Sequence, residues 1–434
     1  MSLIARRQLL LPILVIAALL LVTSPALADY TIDVNTNVDE DVNNSSCSLR
    51  EAVIAAFNNA NYNGCTRTNV GGPPTVDIIN LNAAGPYQLL STITYDTSAG
   101  AQGDLTINGN GNTVQGNDTF QLFYINLASA DKFSFTGATI RDGGGAVNGG
   151  AFYLNGNGSL LCVNLISNQA TNGGAVYVAS NAAVLYMDCP FPPNAYQITN
   201  NSATGGGGAI YEYDGRVLIF GAFTIAGNSA GTQGGALYIA PGSGGGGGSQ
   251  LEISGGTATN GEIYNAGFVP GQIQSNFSGQ GGAIYWDSAD SRSTINDTCI
   301  AGNSRYAIYG TIGNKLDAPN NWWASDWGPR IENAETLFLA NGYPSCGANA
   351  YCTASAVTLG DSINGDGSNS AGQGVDISNS NTFPAAYGDG NDNNPTNNGQ
   401  FVHTNPNPSV CLTCQGIDPS SLDPDARTCV LPGP

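Results

Sequence analysis

The sequence predicts an all-β fold, a parallel β-helix in which each short repeat forms one coil and a helix caps the N-terminal end. Three observations support this prediction. A Gly-Gly-Ala-x-Tyr string recurs at intervals of 24, 34, 27 and 47 residues, short apolar strands lie between the copies, and charged residues make up only 10% of the chain. Gly, Asn, Ser and Thr are abundant, and this composition favours short strands and turns over amphipathic helices.

The recurring string has five full copies, which begin at Gly149, Gly173, Gly207, Gly234 and Gly281. A sixth, decayed copy survives at Ala307-Ile308-Tyr309. The string is followed by a strand, a turn, a second strand and a third strand. Three short strands in roughly 24 residues are typical of a solenoid in which one repeat is one coil. Coils stacked at about 4.8 Å would share a continuous apolar core that a single coil cannot form.

An asparagine stands four to six residues before each later copy. These residues are Asn168, Asn201, Asn228, Asn276 and Asn303. Stacked at one corner, they would hydrogen-bond along the axis as an amide ladder. The paired glycines suit a corner that needs a positive φ or a close approach of neighbouring coils. The alternative is a glycine-rich disordered tract, but Ile, Val, Leu and Tyr at fixed offsets argue against it. Only Gly244–Gly248 is expected to form a flexible loop.

The N-terminal 28 residues predict an export signal. Arg6 and Arg7 precede an apolar run from Leu9 to Val22, and small residues follow up to Ala28. A membrane anchor, the alternative, needs roughly 20 apolar residues, and this run is shorter. The arginine pair leaves the twin-arginine route open. We therefore expect a secreted protein, extracellular or at the cell surface, with no transmembrane helix in the mature chain.

Charge and cysteine content limit the partners and cofactors. Removal of the signal would leave ten Lys and Arg against 32 Asp and Glu, a formal charge of −22. Such a charge repels nucleic acid, so no nucleic-acid partner is expected. An even ten cysteines in an exported chain predict disulfides rather than metal ligands. Cys411-x-x-Cys414 alone could indicate zinc or redox chemistry, but with His403 as the single histidine a zinc site would need a second cysteine pair at suitable spacing.

A helix is predicted at the N-terminal end of the repeats. Ser48 and Glu51 form an S-x-x-E capping box. Apolar residues then share one helical face: Leu49, Val53, Phe57 and Ala60. The first coil of a solenoid must be covered, so we expect this helix to lie over it, with Cys47 and Cys65 bridged to hold it in place.

The string Cys47-Ser48-Leu49-Arg50-Glu51-Ala52 resembles the signature of CSLREA-domain proteins. These are exported bacterial and archaeal proteins that usually continue into right-handed parallel β-helices. The later repeats are similar to those of polymorphic outer-membrane-protein-type and pectin-lyase-like β-helices. Residues 320–329 resemble a closing motif of such helices, with Ala324 where that motif has glycine. The resemblance covers about residues 30–330 and implies a right-handed β-helix and an exported protein, but no particular activity.

Four segments follow from these features. They are a signal peptide at 1–28, an N-terminal CSLREA cap at 29–72, a parallel β-helix at 73–330, and a Gly-, Asn- and Asp-rich region at 331–434. The last region is expected to be irregular, disulfide-containing and partly disordered. Asn364-x-Asp366-Gly367 and Asp389-Gly390-Asn391-Asp392 resemble parts of calcium loops without the full ligand set. Solvated loops are therefore expected there, with Ca²⁺ as the alternative and no other cofactor.

No catalytic pattern emerges from the repeats. Lyases of this fold use an Arg or Lys base, but the arginines fall at unrelated repeat offsets: Arg141, Arg216, Arg292 and Arg305. Hydrolases of this fold use carboxylates on adjacent coils, and the candidates show no motif: Asp188, Glu212, Asp214 and Asp287. Gly227-Asn228-Ser229-Ala230-Gly231 fits Gly-x-Ser-x-Gly but lies at a repeat corner. We predict no catalytic, cofactor-binding or metal-binding residues and no enzymatic activity.

Tyrosines at one repeat position are the candidate ligand-facing residues. They are Tyr153, Tyr177, Tyr211, Tyr238 and Tyr285, with Tyr309 in the decayed copy. Strand alternation directs them outward, opposite to their apolar neighbours. Stacked rings with hydroxyls suit sugars or partner proteins, unless the ladder only packs on itself or beneath loops.

The predicted function is therefore that of an exported structural or adhesive β-helix. Its expected partner is an extracellular polysaccharide or a cell-surface protein. The alternative is a carbohydrate-active enzyme, either a polysaccharide lyase or a glycoside hydrolase, on a pectin-lyase-like β-helix.

Overall fold

The structure, a computed structural model, describes part of the chain. The described residues are 29–71, 76–100, 102–189, 195–242, 249–255, 271–288, 293–296, 298–303, 307–310, 315–317, 321, 330–331, 356–358 and 374–376. The predicted signal peptide, the loop at 244–248, the two calcium-like loops and the Cys411–Cys414 pair lie outside these residues. So do Arg292, Arg305, His403 and all of the closing motif except Asn321.

The described residues are mostly strands, arranged in parallel sheets. The largest sheet has 18 described strands: β1 (Asp29–Val34), β2 (Thr68–Gly71), β3 (Val76–Leu81), β4 (Tyr87–Gln88), β6 (Asp104–Asn108), β7 (Thr113–Gln115), β9 (Lys132–Arg141), β12 (Asn157–Ile166), β15 (Val184–Asp188), β16 (Tyr196–Thr199), β19 (Arg216–Gly221), β20 (Phe223–Ala226), β23 (Gln250–Gly255), β24 (Gly271–Gln274), β26 (Thr294–Asn296), β27 (Thr298–Ala301), β29 (Lys315–Asp317) and β32 (Gly374–Asp376).

A second sheet has ten described strands: β5 (Ile93–Asp96), β8 (Phe123–Asn126), β11 (Phe152–Asn155), β14 (Val176–Val178), β18 (Ile210–Glu212), β22 (Leu237–Ile239), β25 (Ile284–Trp286), β28 (Ile308–Gly310), β30 (Arg330–Ile331) and β31 (Ala356–Thr358). A third has four: β10 (Ala146–Asn148), β13 (Gln169–Asn172), β17 (Ser202–Ala203) and β21 (Ser229–Ala230). Within the sheets, β1 and β2 pair antiparallel and the other described pairs are parallel.

Equivalent positions of successive repeats pair with one another. In the ten-stranded sheet, Tyr153 pairs with Tyr177, which pairs with Tyr211. Each complete repeat also contributes two segments to the 18-stranded sheet, so the predicted three strands per repeat are present. In β9 and β12 these two segments run together as one strand, in which Gly137 and Cys162 have positive φ. The four-stranded sheet was not predicted, because its strands are only two to four residues long.

The core lies on the inner side of each strand. In β19 the burial alternates along the strand, with Val217 and Ile219 fully buried. In the ten-stranded sheet the residues before the tyrosines point inward, and Phe123 stacks on Phe152 with ring centroids 5.0 Å apart. Burial of each such side chain contributes about 1.5–3 kcal/mol. Because no single repeat encloses this apolar surface, stability depends on neighbouring repeats.

The sequence suggested two roles for the paired glycines, a turn with positive φ and a close approach of neighbouring repeats. In the structure each glycine of the pair has one of these roles. Gly173 has a φ of +62°, a conformation that side chains with a Cβ rarely adopt. Gly174 instead lies against the carbonyl of Gly208 in the next repeat, so a Cβ there would collide with backbone. The first glycine therefore forms the turn, and the second permits the close approach of neighbouring repeats.

The repeat asparagines form a buried hydrogen-bonded row. Asn201 donates from Nδ2 to the carbonyl oxygen of Leu165 at 2.9 Å and to Asn228 Oδ1 at 3.0 Å. Its own Oδ1 accepts from the backbone N and the Nδ2 of Asn168, at 2.9 and 3.0 Å. Asn228 and Asn276 repeat the pattern up to Asn303. This row is the predicted amide ladder, and its members before Asn303 have almost no exposed surface.

The helix α1 (Leu49–Phe57) packs against β1, β3 and β5. The predicted capping box is present, because Ser48 Oγ accepts from Glu51 N at 3.2 Å and Glu51 Oε2 accepts from Ser48 N at 3.0 Å. Ala60, however, is exposed and lies beyond the helix. Asn58 caps the helix, and Asn59 turns the chain with a φ of +51°. The apolar face therefore ends one turn earlier than predicted.

Residues of the CSLREA-like string hold the helix in place. Cys47 and Cys65 form the expected disulfide, and Cys162 and Cys189 form a second one between neighbouring repeats. Arg50 binds both carboxylate oxygens of Asp39, at 2.8 and 2.7 Å. The same guanidinium donates to the carbonyls of Ser91 and Thr92 at 2.7 and 3.0 Å. The disulfide thus joins the two ends of the segment that carries the helix, and Arg50 ties the helix to the residues before β5.

Arg50→Ala is expected to lower the free energy of unfolding by about 2–3 kcal/mol, because it removes the cationic partner of the buried Asp39 carboxylate and leaves it only the Leu90 N–H. Chemical denaturation of the disulfide-intact chain measures this loss. Arg141→Ala is the matched control, since the Arg141–Asp142 pair is largely exposed and should contribute about 0–1 kcal/mol. Equal effects of the two substitutions would contradict the anchoring role of Arg50.

Candidate binding face

The predicted tyrosines form one column on the outer side of the ten-stranded sheet. Register pairing joins Tyr153 to Tyr177 and continues repeat by repeat to Tyr309. A seventh ring, Tyr124, extends the column at its N-terminal end through pairing with Tyr153. The recurring string did not predict Tyr124, because its repeat lacks the Gly-Gly pair. The signal was present, since Phe123-Tyr124-Ile125-Asn126 matches Phe152-Tyr153-Leu154-Asn155 almost residue for residue.

Neighbouring rings of the column stack on one another. Their centroids are 4.5–5.8 Å apart, and their planes differ by 6–14°. The flat faces that the sequence suggested for ligands are therefore largely covered by neighbouring rings. What the column presents outward is a line of ring edges and phenol hydroxyls.

Burial raises the pKa of five phenol hydroxyls in the column. Burial raises the pKa of Tyr177 to about 12, with Tyr153 and Tyr213 nearby adding to the effect. Burial, followed by the charge of Asp287, likewise raises the pKa of Tyr285 to about 12. Burial also raises the pKa of Tyr153, Tyr211 and Tyr238. Each phenol can consequently both donate and accept a hydrogen bond at physiological pH.

A row of amides borders the column on the side of the Gly-Gly corners. It consists of the residues just before the glycine pairs: Asn148, Asn172, Gln233 and Gln280. Asn172 Nδ2 donates to Asn148 Oδ1 at 3.3 Å, and Gln233 Nε2 donates to Gln280 Oε1 at 2.9 Å. Gly206 occupies the middle position, where a Cβ would lie 3.0 Å from the Tyr238 ring and 3.3 Å from the Tyr211 ring. The row therefore lies directly beside the rings.

A second polar row borders the other side of the column. It runs through Asp96, Asn126, Asn155 and Ser180. Asn126 Nδ2 donates to Asp96 Oδ1 at 2.9 Å, Asn155 Nδ2 donates to Asn126 Oδ1 at 2.8 Å, and Ser180 Oγ donates to Asn155 Oδ1. We call the tyrosine column and its two rows the tyrosine face. These residues include no Lys or Arg and one carboxylate, Asp96, and the charge of Asp287 also acts on Tyr238 and Tyr285.

The four candidate carboxylates do not form an open pair. Glu212 points inward from β18 and has no exposed surface. Burial raises its pKa to about 8, although the nearby Ser249 hydroxyl and Gly215 N–H lower it, and neighbouring Asp214 raises it further. Among the described residues its Oε2 has no hydrogen-bond partner. Asp214 is also buried, so the two nearest carboxyl groups do not face solvent.

The remaining candidates lie apart from these two. Asp188 accepts a hydrogen bond from the Tyr186 hydroxyl at 2.9 Å in the 18-stranded sheet. Asp287 lies near the tyrosine column, where its charge raises the pKa of Tyr238 and Tyr285. Arg141 pairs with Asp142, and Arg216 donates to the Gln250 side chain at 2.6 Å.

Two further observations concern metals and the serine string. In the described part of the chain, no group of three His, Cys, Asp or Glu side chains could hold a metal ion. Asn228 of the Gly-x-Ser-x-Gly string belongs to the buried asparagine row, and Ser229 begins the short strand β21. The string is therefore a repeat corner.

Comparisons with known proteins identify no family. No family model matches the chain, and searches of curated proteins and of solved structures likewise give no match. In the described residues no helix is long and apolar enough to cross a membrane.

Proposed function

We propose that the chain is an exported right-handed parallel β-helix that acts outside the cell, or at its surface, as a non-catalytic structural and adhesive protein. The observation that carries the proposal is the tyrosine face. Seven stacked rings and two polar rows run across consecutive repeats without a Lys or Arg among them. A continuous face of this kind suits adhesion along the length of the molecule better than chemistry at one point.

Several features support the winding as a β-helix. Successive repeats add one strand to the ten-stranded sheet in strict register, and the same repeats add segments to the 18-stranded sheet. The asparagine row links consecutive repeats by side-chain hydrogen bonds. Parallel strands stacked in this order are what a solenoid with one repeat per coil requires.

Export is supported by the disulfides and by the N-terminal sequence. Disulfides persist in oxidising compartments, and both described bridges join segments that pack together in the fold. The CSLREA-like string at residues 47–52 occupies the position of a cap over the first repeat, which is where the proposed family would place it. We therefore propose that residues 1–28 direct export and that residues 29–72 form the cap.

The tyrosine face offers a ligand polar groups that are held in fixed positions. Half-buried hydroxyls and amides offer hydrogen bonds, while stacking fixes the rings and lowers the entropy lost on binding. The alternative, a carbohydrate-active enzyme, is favoured by one observation only: Glu212 has the raised pKa of a general acid. That carboxyl has no exposed surface, so catalysis would need the corner at Glu212 to open.

The test separates adhesion from catalysis. The purified chain lacking residues 1–28 is incubated with polysaccharides, isolated cell walls and protein-coated surfaces, with and without Ca²⁺. Retention, reducing ends and unsaturated products are all measured. The proposal predicts retention on at least one surface without product formation. Product formation would establish the enzyme instead, and a lack of retention on every surface would refute the adhesive role.

A further inference from the structure

We infer that the tyrosine face binds a neutral, hydroxyl-rich polysaccharide whose chain lies along the stack of repeats. This inference rests on the proposed adhesive function and specifies its ligand. The face is built from groups that repeat once per strand, and a polymer with a short chemical repeat can contact such a face at several units at once.

The hydrogen-bonding groups of the face are only partly used within the protein. In the second polar row, Asn126 and Asn155 each donate one N–H to the preceding residue and accept one bond from the following one. A primary amide has two N–H donors and two acceptor lone pairs, so one donor and one lone pair of each asparagine remain for a ligand. The hydroxyls of Tyr153 and Tyr177 add further donors and acceptors. The hydroxyls of Tyr211 and Tyr238 bond each other, and that of Tyr285 bonds Gln233. The face therefore offers paired donors and acceptors, which match the vicinal hydroxyls of sugars.

The spacing of the groups suits an extended sugar chain. Ring centroids follow one another at 4.5–5.8 Å along the column. The ring spacing follows the distance of about 4.7–4.9 Å between hydrogen-bonded strands. That distance is comparable to the length that one pyranose unit adds to an extended polysaccharide. Successive sugars could thus meet equivalent groups on successive repeats. Because the ring faces are covered by one another, recognition depends on hydroxyls and ring edges rather than on sugars stacked on aromatic faces.

Charge decides between neutral and acidic polymers. The protein carries a net charge of −20, and the face has no Lys or Arg with which to bind carboxylate or sulfate groups. An anionic polysaccharide would be repelled by the surrounding charge, whereas a neutral one would not. A protein partner is less well matched, because protein interfaces are centred on pockets that accept large anchor residues. The stacked column presents a regular line of edges instead.

The test removes phenol hydroxyls while keeping the stacked rings of the tyrosine column. The double variant Tyr177→Phe/Tyr238→Phe keeps both rings but removes two phenol hydroxyls from the face. Binding of a neutral β-glucan, a neutral galactomannan, polygalacturonate and a protein-coated surface is measured by retention and by titration calorimetry. Tyr186→Phe is the matched control, because its hydroxyl lies in the 18-stranded sheet and bonds Asp188.

We expect the wild-type chain to bind a neutral polymer and not polygalacturonate. The double variant should lose at least about tenfold in affinity, and Tyr186→Phe should bind like the wild type. Binding to polygalacturonate in preference, or equal affinity of the double variant, would overturn the inference. Hydroxyl-dependent binding to the protein-coated surface alone would also overturn it, while leaving the adhesive function intact. Absence of binding to every polymer and surface would refute both the inferred ligand and the proposed adhesive function.

Discussion

Asn201→Ala is expected to lower the free energy of unfolding by about 3–6 kcal/mol, the largest loss among the substitutions considered. The side chain has no exposed surface and serves both neighbouring repeats. Its removal leaves the Leu165 carbonyl and two N–H groups of Asn168 without partners. Each buried group left unpaired costs about 1–3 kcal/mol, and neither Asn201 nor its neighbours Asn168 and Asn228 have any exposed surface.

The matched control for this prediction is Asn108→Ala. Asn108 also donates to an asparagine of a neighbouring repeat, Asn80, but it lies half-buried on the outer side of β6. Water can replace its bonds, so we expect a loss of about 1 kcal/mol or less. Chemical denaturation and hydrogen exchange of the backbone amides on either side of the substitution measure both effects. Similar losses for the two variants would show that the buried row has no special role.

Glu212→Gln is expected to stabilise the protein at alkaline pH. The pKa of Glu212 is about 8 in the folded chain and near 4.5 when the chain is unfolded. Because the folded state favours the protonated form, the free energy of unfolding falls as the pH rises from about 4.5 to about 8. One pKa unit corresponds to about 1.4 kcal/mol, so the loss over this window is on the order of 5 kcal/mol. Glutamine has the same shape and no charge to desolvate.

Unfolding measured from pH 4 to pH 9 tests this prediction. At pH 4 the variant and the wild type should have similar stability, since Glu212 is then protonated in both states. By pH 8 the variant should be more stable by a few kcal/mol. Glu252→Gln provides the control, because it removes one acidic charge from the outer side of β23 rather than from the interior. If the free energy of unfolding depended on pH in the same way for the wild type and for Glu212→Gln, the raised pKa of Glu212 would be contradicted.

Much of the repeat architecture could be predicted from spacing alone. A residue that recurs at one repeat position stacks on its equivalents, which is why the tyrosine column and the asparagine row were foreseen. The inward direction of Glu212 also follows from strand alternation, because Ile210 points inward and Tyr211 outward. That signal was overlooked, and Glu212 was grouped with potentially catalytic carboxylates. The Cys162–Cys189 bridge likewise matches the repeat, since the two residues are 27 positions apart.

Other features depend on the three-dimensional positions of side chains, which the spacing of residues along the sequence does not determine. The coverage of each ring by its neighbours follows from the tilt and separation of the side chains, so the sequence suggested open ring faces where the structure has edges. The second polar row was not foreseen, because Asp96, Asn126, Asn155 and Ser180 are different residue types with no shared motif. The end of α1 at Phe57 depends on the local turn at Asn58 and Asn59 rather than on apolar spacing.

Hydroxyl-radical footprinting of the chain with and without a neutral polysaccharide tests the tyrosine face most directly. Oxidation of each tyrosine is quantified by mass spectrometry. We expect the polymer to protect Tyr153, Tyr177 and Tyr238, whose rings are half-buried in the column, and to leave Tyr186 unchanged. Protection confined to the 18-stranded sheet, or binding without protection of the column, would show that the tyrosine face is not the binding site.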